Sequence, residues 1–180
     1  LQLEKSNIKT KYSLKPNFTW ASENVDQIVN KFLGKKFILL FPFSSESLSH
    51  KRWPHYNELI KIIKDKYSEI EIVIAPGPSE LELGKKIDAT IITNNNKALS
   101  IPELAGLIVK ASYIISNDTG PAHMAAHLNK NGLAIFGHHT SAKKVSIETE
   151  KFKTISEDNL KELDANKVYL NIKDKLQLIN

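Results

Sequence analysis

The densest concentration of chemistry-bearing side chains lies in the run SNDTGPAHMAAH at 116–127. It follows a short apolar stretch, YIIS at 113–116, and passes into a helical pattern near Pro121. A strand that ends in Asn117, Asp118, Thr119 and Gly120 sets a hydroxyl residue and a flexible backbone at a helix N-terminus. Exposed N–H groups and the positive end of the helix dipole make that a seat for phosphate. Gly120 lets an oxyanion approach the backbone, and His123 in the first turn can donate a further hydrogen bond. The same residues could serve a plainer end, with Asp118 or Thr119 capping the helix. Spacing alone divides the two readings evenly.

Three more loops follow apolar runs and carry polar groups. FSSESLSHKRWP follows FILLF, and its Lys51–Arg52 pair directly precedes Trp53 and Pro54, so that packing of the indole would fix a basic pair at a strand end. Solvated charge is the alternative. APGPSE holds Glu80 a few residues beyond a strand, where acids meet ribose hydroxyls in nucleotide-binding sheets. Taken alone, Glu80 reads more simply as a first-turn glutamate favoured by the dipole. GHHTSAKK brings His138 and His139 together, but adjacent residues of a strand-like segment point apart, so they form no metal pair. No zinc site is expected. The chain contains neither GxxxxGK[ST] nor GxGxxG, and Ser44 and Ser45 lack a G-x-S-x-G elbow, which argues against P-loop NTPases, nicotinamide dehydrogenases and serine hydrolases.

The elements that must position these loops are legible as alternating patterns. Apolar runs at 37–41, 71–75, 90–93, 113–116 and 133–137 read as strands with helices between them, the mark of a parallel sheet covered on its faces. In such a sheet, ligands sit beyond the carboxyl ends of the strands. Val25, Ile28, Val29 and Phe32 fall on one helical face that Gly34 can close, and Leu59, Ile60, Ile63 and Tyr67 repeat on another with Pro54 in its first turn. Ser100 and Glu103 form a capping box with Pro102 inside the first turn, and Asp164 caps a last helix that packs on the sheet or on a neighbouring lobe. Asn94 to Asn96 is a turn-prone loop. The fold expected is α/β, a Rossmann-like doubly wound parallel sheet. A linker and helix occupy 1–36, the sheet domain 37–160, and a C-terminal helix 161–180.

Composition narrows the classes. At 180 residues, 41% hydrophobic and 25% charged, the chain suits one globular domain. Its longest apolar run, FILLFPF, falls far short of the roughly 20 residues of a membrane span. There is no Cys, which removes disulfides and thiolate chemistry. The first residues lack the apolar segment of a secretory signal and there is no initiating Met, which reads as a mature or truncated piece. The net charge of +5 resides mostly in residues 1–36, which hold seven Lys and three acids, and Arg52 is the single Arg. A nucleic-acid surface is therefore not expected, while scattered Lys remain compatible with weak attraction to anionic lipid.

Together these loops resemble a known family. NDTGPAHMAAHL at 117–128 is similar to the D-[ST]-G-x-x-H-x-A signature of glycosyltransferase family 9, the lipopolysaccharide heptosyltransferases. KRWP at 51–54 resembles its K-x-W-P element and GPSE at 77–80 its G-x-x-E turn; SIPELAGLIVKASYIISND resembles the helix and strand that lead into the signature. Departures occur at FPFSS, where a P-G-[AS] turn is usual, and at NKNGLAIFG and GHHTSAKK, where G-x-P and G-P-T-like turns are usual.

The resemblance implies the C-terminal, donor-binding lobe of a GT-B enzyme that is inverting and acts in lipopolysaccharide or surface-glycan synthesis. It implies a nucleotide sugar, typically ADP-heptose, bound as substrate with no further cofactor and no metal. On that resemblance Asp118, Thr119 and Gly120 line the pyrophosphate and sugar region with His123 close by, Lys51 meets the phosphates and Glu80 meets the nucleoside. The catalytic base and the glycolipid acceptor site belong to an N-terminal lobe outside this chain, which leaves these residues inactive alone. A cytoplasmic location with peripheral contact at the inner face of the bacterial inner membrane is implied as well. Two alternatives stand beside it: a stand-alone nucleotide-sugar binding module without catalysis, and another GT-B enzyme such as a nucleotide-sugar epimerase, whose carboxylate and histidine set has no evident place here.

Overall fold

Five consecutive apolar residues cannot face water on either side, and FILLF meets this demand by lying at the centre of a sheet. The computed structural model describes residues 5–7, 18–32 and 36–179. Its strands are β1 (Phe37–Phe41), β2 (Glu71–Ile74), β3 (Thr90–Ile91), β4 (Tyr113–Asn117), β5 (Gly132–Phe136) and β6 (Phe152–Ser156). All pair in parallel, in the order β3-β2-β1-β4-β5-β6. This is the doubly wound, Rossmann-like arrangement expected.

Successive strand residues point to opposite faces, so each strand feeds two cores. Ile38 and Leu40 pack beneath the helices α2 (Tyr56–Lys66) and α7 (Ala165–Gln177), with Leu59, Ile60, Ile63, Val168, Ile172 and Leu176. Phe37, Leu39 and Phe41 pack on the other face against α4 (Ile101–Lys110) and α5 (Gly120–His127), through Leu107, Ile108, Ala122 and Ala125. Burial of each large side chain contributes about 1.5–3 kcal/mol, which makes these two layers the main source of stability. Ile28 and Val29 of α1 (Asp26–Phe32) join the second layer. The last helix thus packs on the sheet domain itself.

The local signals hold where the chemistry is local. Ser100 Oγ accepts the Glu103 N–H at 3.4 Å while Glu103 Oε2 accepts the Ser100 N–H at 2.7 Å, which closes the capping box of α4. Asp164 Oδ1 accepts the Lys167 N–H at 2.8 Å and starts α7. Asn95 and Asn96 take positive φ in their turn, a backbone that Asn tolerates better than most residues. Two expectations need correction. Pro54 stands outside α2, which begins at Tyr56 with His55 as its N-cap residue. β6 has no counterpart in the expected strands, because Lys153, Thr154 and Ser156 break up its apolar residues. Gly34, expected to close α1, lies outside the described residues.

Short elements complete the path: α3 (Leu81–Gly84), α6 (Ala142–Val145) and 3-10 turns at Thr19–Ala21 and Glu46–Lys51. Among the described residues no helix is long and apolar enough to cross a membrane.

Candidate functional site

The chain runs from β1 outward to β2 and β3, then crosses back to β4 on the other side of β1. Loops leaving the carboxyl ends of β1 and β4 therefore diverge and leave a crevice between them, the usual ligand site of such sheets. A cavity of about 440 Å3 opens there, within the size range of small-molecule sites. Phe41, Phe43, Leu48, Pro76, Leu99 and Leu104 supply apolar wall, and Lys51, Asp118, Thr119, Gly120 and His123 supply a polar end.

Asn117, the last residue of β4, ties the two loops together. It is completely buried. Its Nδ2 donates to the Pro42 carbonyl at 2.8 Å, and its Oδ1 accepts the Trp53 N–H and the Tyr56 hydroxyl, both at 3.2 Å. Trp53 is 2% exposed, donates its Nε1–H to the Leu163 carbonyl at 2.7 Å and meets the Tyr56 ring edge-on at 5.0 Å. The indole thus fixes the preceding loop, as its position beside the basic pair suggests. Only one member of that pair reaches the cavity. Lys51 lines it, whereas Arg52 donates from Nε to the Ser44 carbonyl at 3.2 Å, and from Nη2 to the same carbonyl, holding the loop on itself.

Asp118 is 5% exposed and gathers three basic groups. Lys51 Nζ lies 2.8 Å and His139 Nε2 2.9 Å from Oδ2, and His123 Nε2 lies 3.6 Å from Oδ1. Burial alone would raise its pKa; His123, Lys51 and His139 outweigh it and hold the carboxyl well below the usual carboxylate range. Asp118 is ionised, and its charge is matched by donors rather than by water.

The capping reading of this run does not hold. Thr119 occupies the N-cap position of α5, yet among the described residues no side chain caps the helix; its Oγ1 turns to the Asn117 carbonyl at 3.4 Å and to Ser116 Oγ at 3.2 Å. Asp118 is engaged with its basic partners. The start of α5 therefore faces the cavity with its dipole uncompensated by any side-chain cap. Among the described residues nothing lies within 4 Å of where a Gly120 Cβ would stand, which leaves that wall open.

Glu80 also lines the cavity, away from this cluster in sequence and on a different loop. Its Oε2 accepts the Gly77 N–H at 2.9 Å, which closes the turn after β2. His138 and His139 sit on a turn rather than a strand-like segment, and they diverge: His138 Nδ1 donates to the Asp158 carbonyl at 3.2 Å, and His139 turns inward to Asp118. His139 is the residue that the sequence reading missed. A signal existed, since a strand order that places β5 beside β4 brings the loops after both strands together. Among the described residues no group of three or more His, Cys, Asp or Glu could hold a metal ion.

Known proteins share this sequence pattern and this fold. Residues 1–173 match the model of Glycosyltransferase family 9 (heptosyltransferase). Lipopolysaccharide heptosyltransferase 2 of Escherichia coli is 27% identical over 155 residues, covering 76% of this chain and 43% of that protein. The solved E. coli ADP-heptose lps heptosyltransferase II is similar at a TM-score of 0.70 and 22% identity, over 84% of this chain and 50% of that one. E. coli heptosyltransferase WaaC with ADP-2-deoxy-2-fluoro heptose is similar at a TM-score of 0.68 and 20% identity, over 88% and 48%. The chain spans half or less of the length of each relative.

Proposed function

The chain belongs to glycosyltransferase family 9, and from that premise we propose that the crevice between β1 and β4 is the donor site of a heptosyltransferase-like enzyme that takes an ADP-heptose or related nucleotide sugar. The observation that carries this reading is the polar end of the cavity, where Lys51 and the uncapped start of α5 converge beside Asp118. A diphosphate brings the negative charge that the uncapped start of α5 has no side chain to supply.

In the inverting transfer proposed, an acceptor hydroxyl attacks the anomeric carbon from the face opposite the diphosphate. The bond from that carbon to the diphosphate oxygen breaks, and its electron pair leaves with the nucleoside diphosphate. Negative charge grows on the departing oxygen. Lys51 and the α5 dipole are placed to stabilise it, as preorganised charge does for any developing anion. The hydroxyl proton passes to a base that we assign to a second lobe, together with the glycolipid acceptor. Glu80 and the apolar wall take the nucleoside, while Thr119, Gly120 and His123 take the sugar and pyrophosphate. The setting proposed is lipopolysaccharide or surface-glycan synthesis at the cytoplasmic face of the inner membrane, with no bound metal and no other cofactor.

Calorimetry with ADP, UDP and GDP in the presence of EDTA tests the reading. ADP binds tightest, its affinity falls about tenfold in Lys51→Ala, the scale of one hydrogen bond to a charged group, and falls again at high salt. Equal affinity for all three nucleotides, or abolition of binding by EDTA, would remove it.

A further inference from the structure

Asp118 Oδ2 receives two donors at once, Lys51 Nζ at 2.8 Å and His139 Nε2 at 2.9 Å. Its other oxygen faces His123 at 3.6 Å, beyond hydrogen-bond reach. The two close donors are differently placed. Lys51 lines the cavity, 18% exposed, on the loop after β1. His139 does not line it; its side chain is 9% exposed on the turn after β5, stacked on Phe136 at 6.3 Å and met edge-on by His50 at 5.6 Å. Its Nδ1 is buried with no partner among the described residues, so the one hydrogen bond that this ring makes there is the one to Asp118. A carboxylate oxygen only accepts, which puts the proton of that bond on Nε2.

We propose that His139 is a positioning residue of the donor site, keeping the Asp118 carboxylate paired when Lys51 turns away to meet a diphosphate; this rests on the donor-site reading above. A single lysine cannot serve a buried carboxylate and an incoming anion equally well. If Lys51 were the only close partner, its departure would strand a charge that is 5% exposed, and an unpaired buried charge is strongly unfavourable. With His139 in place, Oδ2 keeps one of its two bonds, and Asp118 stays where the fold holds it. The lysine is then free to move because the histidine is not.

The test combines two thermodynamic cycles on the chain as described. In the first, calorimetry with ADP shows His139→Ala weakening binding about tenfold, the worth of one hydrogen bond to a charged group. His139→Gln restores most of it, since a glutamine amide nitrogen can take the place of Nε2. In the Lys51→Ala background, where no lysine has to leave, His139→Ala changes ADP affinity by less than about twofold, the range expected of uncoupled sites. In the second, without ligand, the melting temperature of the Lys51→Ala, His139→Ala double variant falls further than the two single falls combined, because only the double variant leaves Asp118 without a close donor. Equal weakening of ADP binding by His139→Ala in both backgrounds, or additive melting shifts, would overturn the proposal. A wild-type chain that binds none of ADP, UDP and GDP, with melting still non-additive, would overturn the donor-site reading instead and reduce His139 to a structural pair.

Discussion

The Asn117 side chain, at the end of β4, reaches across the point where the strand order reverses to both Pro42 and Trp53 of the loop after β1, donating to the carbonyl of the first at 2.8 Å and accepting the N–H of the second at 3.2 Å. One buried amide thus sets the spacing of both loops that form the crevice. Replacement by Leu leaves the Pro42 carbonyl, the Trp53 N–H and the Tyr56 hydroxyl without that partner. Asn117→Leu is expected to cost about 3 kcal/mol, given 1–3 kcal/mol for each unsatisfied buried group and some local relaxation. Urea denaturation measures it, and a loss below about 1 kcal/mol, the ordinary effect of a substitution, would show that the loops hold their positions without Asn117.

Asp118 makes acid stability diagnostic. Its folded-state pKa is depressed, so the stability it contributes is present above its ordinary value of 3.8 and is lost as pH falls toward the folded value. The wild-type melting temperature is expected to drop more steeply between about pH 4 and pH 2 than that of Asp118→Asn, which has no proton to take up. Parallel curves would mean that the carboxylate gains nothing from its three basic neighbours.

His55 runs in the opposite direction. Nδ1 faces Glu58 Oε1 and Nε2 faces the Lys161 carbonyl, each at 2.9 Å, and both oxygens are acceptors, so only the doubly protonated ring satisfies both. The Glu58 bond and then the Lys161 bond raise its pKa above 6.5. A raised value contributes stability fully present below the unfolded pKa and lost as pH rises through the folded one. Wild type is therefore expected to lose melting temperature from about pH 6 upward relative to His55→Ala, and differential scanning fluorimetry across that window checks it.

Two glycines separate folding from binding. A Cβ on Gly106 would lie 2.2 Å from the Glu23 carbonyl oxygen, where the segment before α1 crosses α4, and backbone there cannot yield cheaply. A Cβ on Gly120 meets nothing within 4 Å among the described residues. Gly106→Ala is expected to lower stability by about 1–3 kcal/mol, as overpacking does, and Gly120→Ala to leave melting unchanged while weakening ADP binding through a narrower cavity wall. Intact nucleotide affinity in Gly120→Ala would move the ligand away from the start of α5.

How far the sequence disclosed these features depended on whether the forces were local. FILLF became β1 end to end because five buried positions in a row leave a strand no alternative in a two-faced sheet. The α4 capping box closes within four residues and needs no tertiary help. Pro54 stands outside α2 because Trp53 is held from outside its own segment, by Asn117 and Leu163, and the helix starts only at Tyr56. β6 was invisible because an edge strand buries little and its residues follow no apolar run. The two close donors to Asp118 lie 67 and 21 residues away in the chain, at Lys51 and His139; motif resemblance singles out Lys51, though for phosphate rather than for Asp118, and only the order of strands in space brings in His139.

The sheet ends on one side in β3, two residues long, and on the other in β6, where Lys153 and Ser156 stand exposed. An unpaired strand edge is a template for another chain, and long apolar edges invite sheets to fuse into aggregates. The first edge offers too few rungs for such a ladder, and the second presents a lysine whose charge repels its counterpart in a second copy. The protection is built into the strands themselves, so it persists whether or not a further lobe covers the cleft.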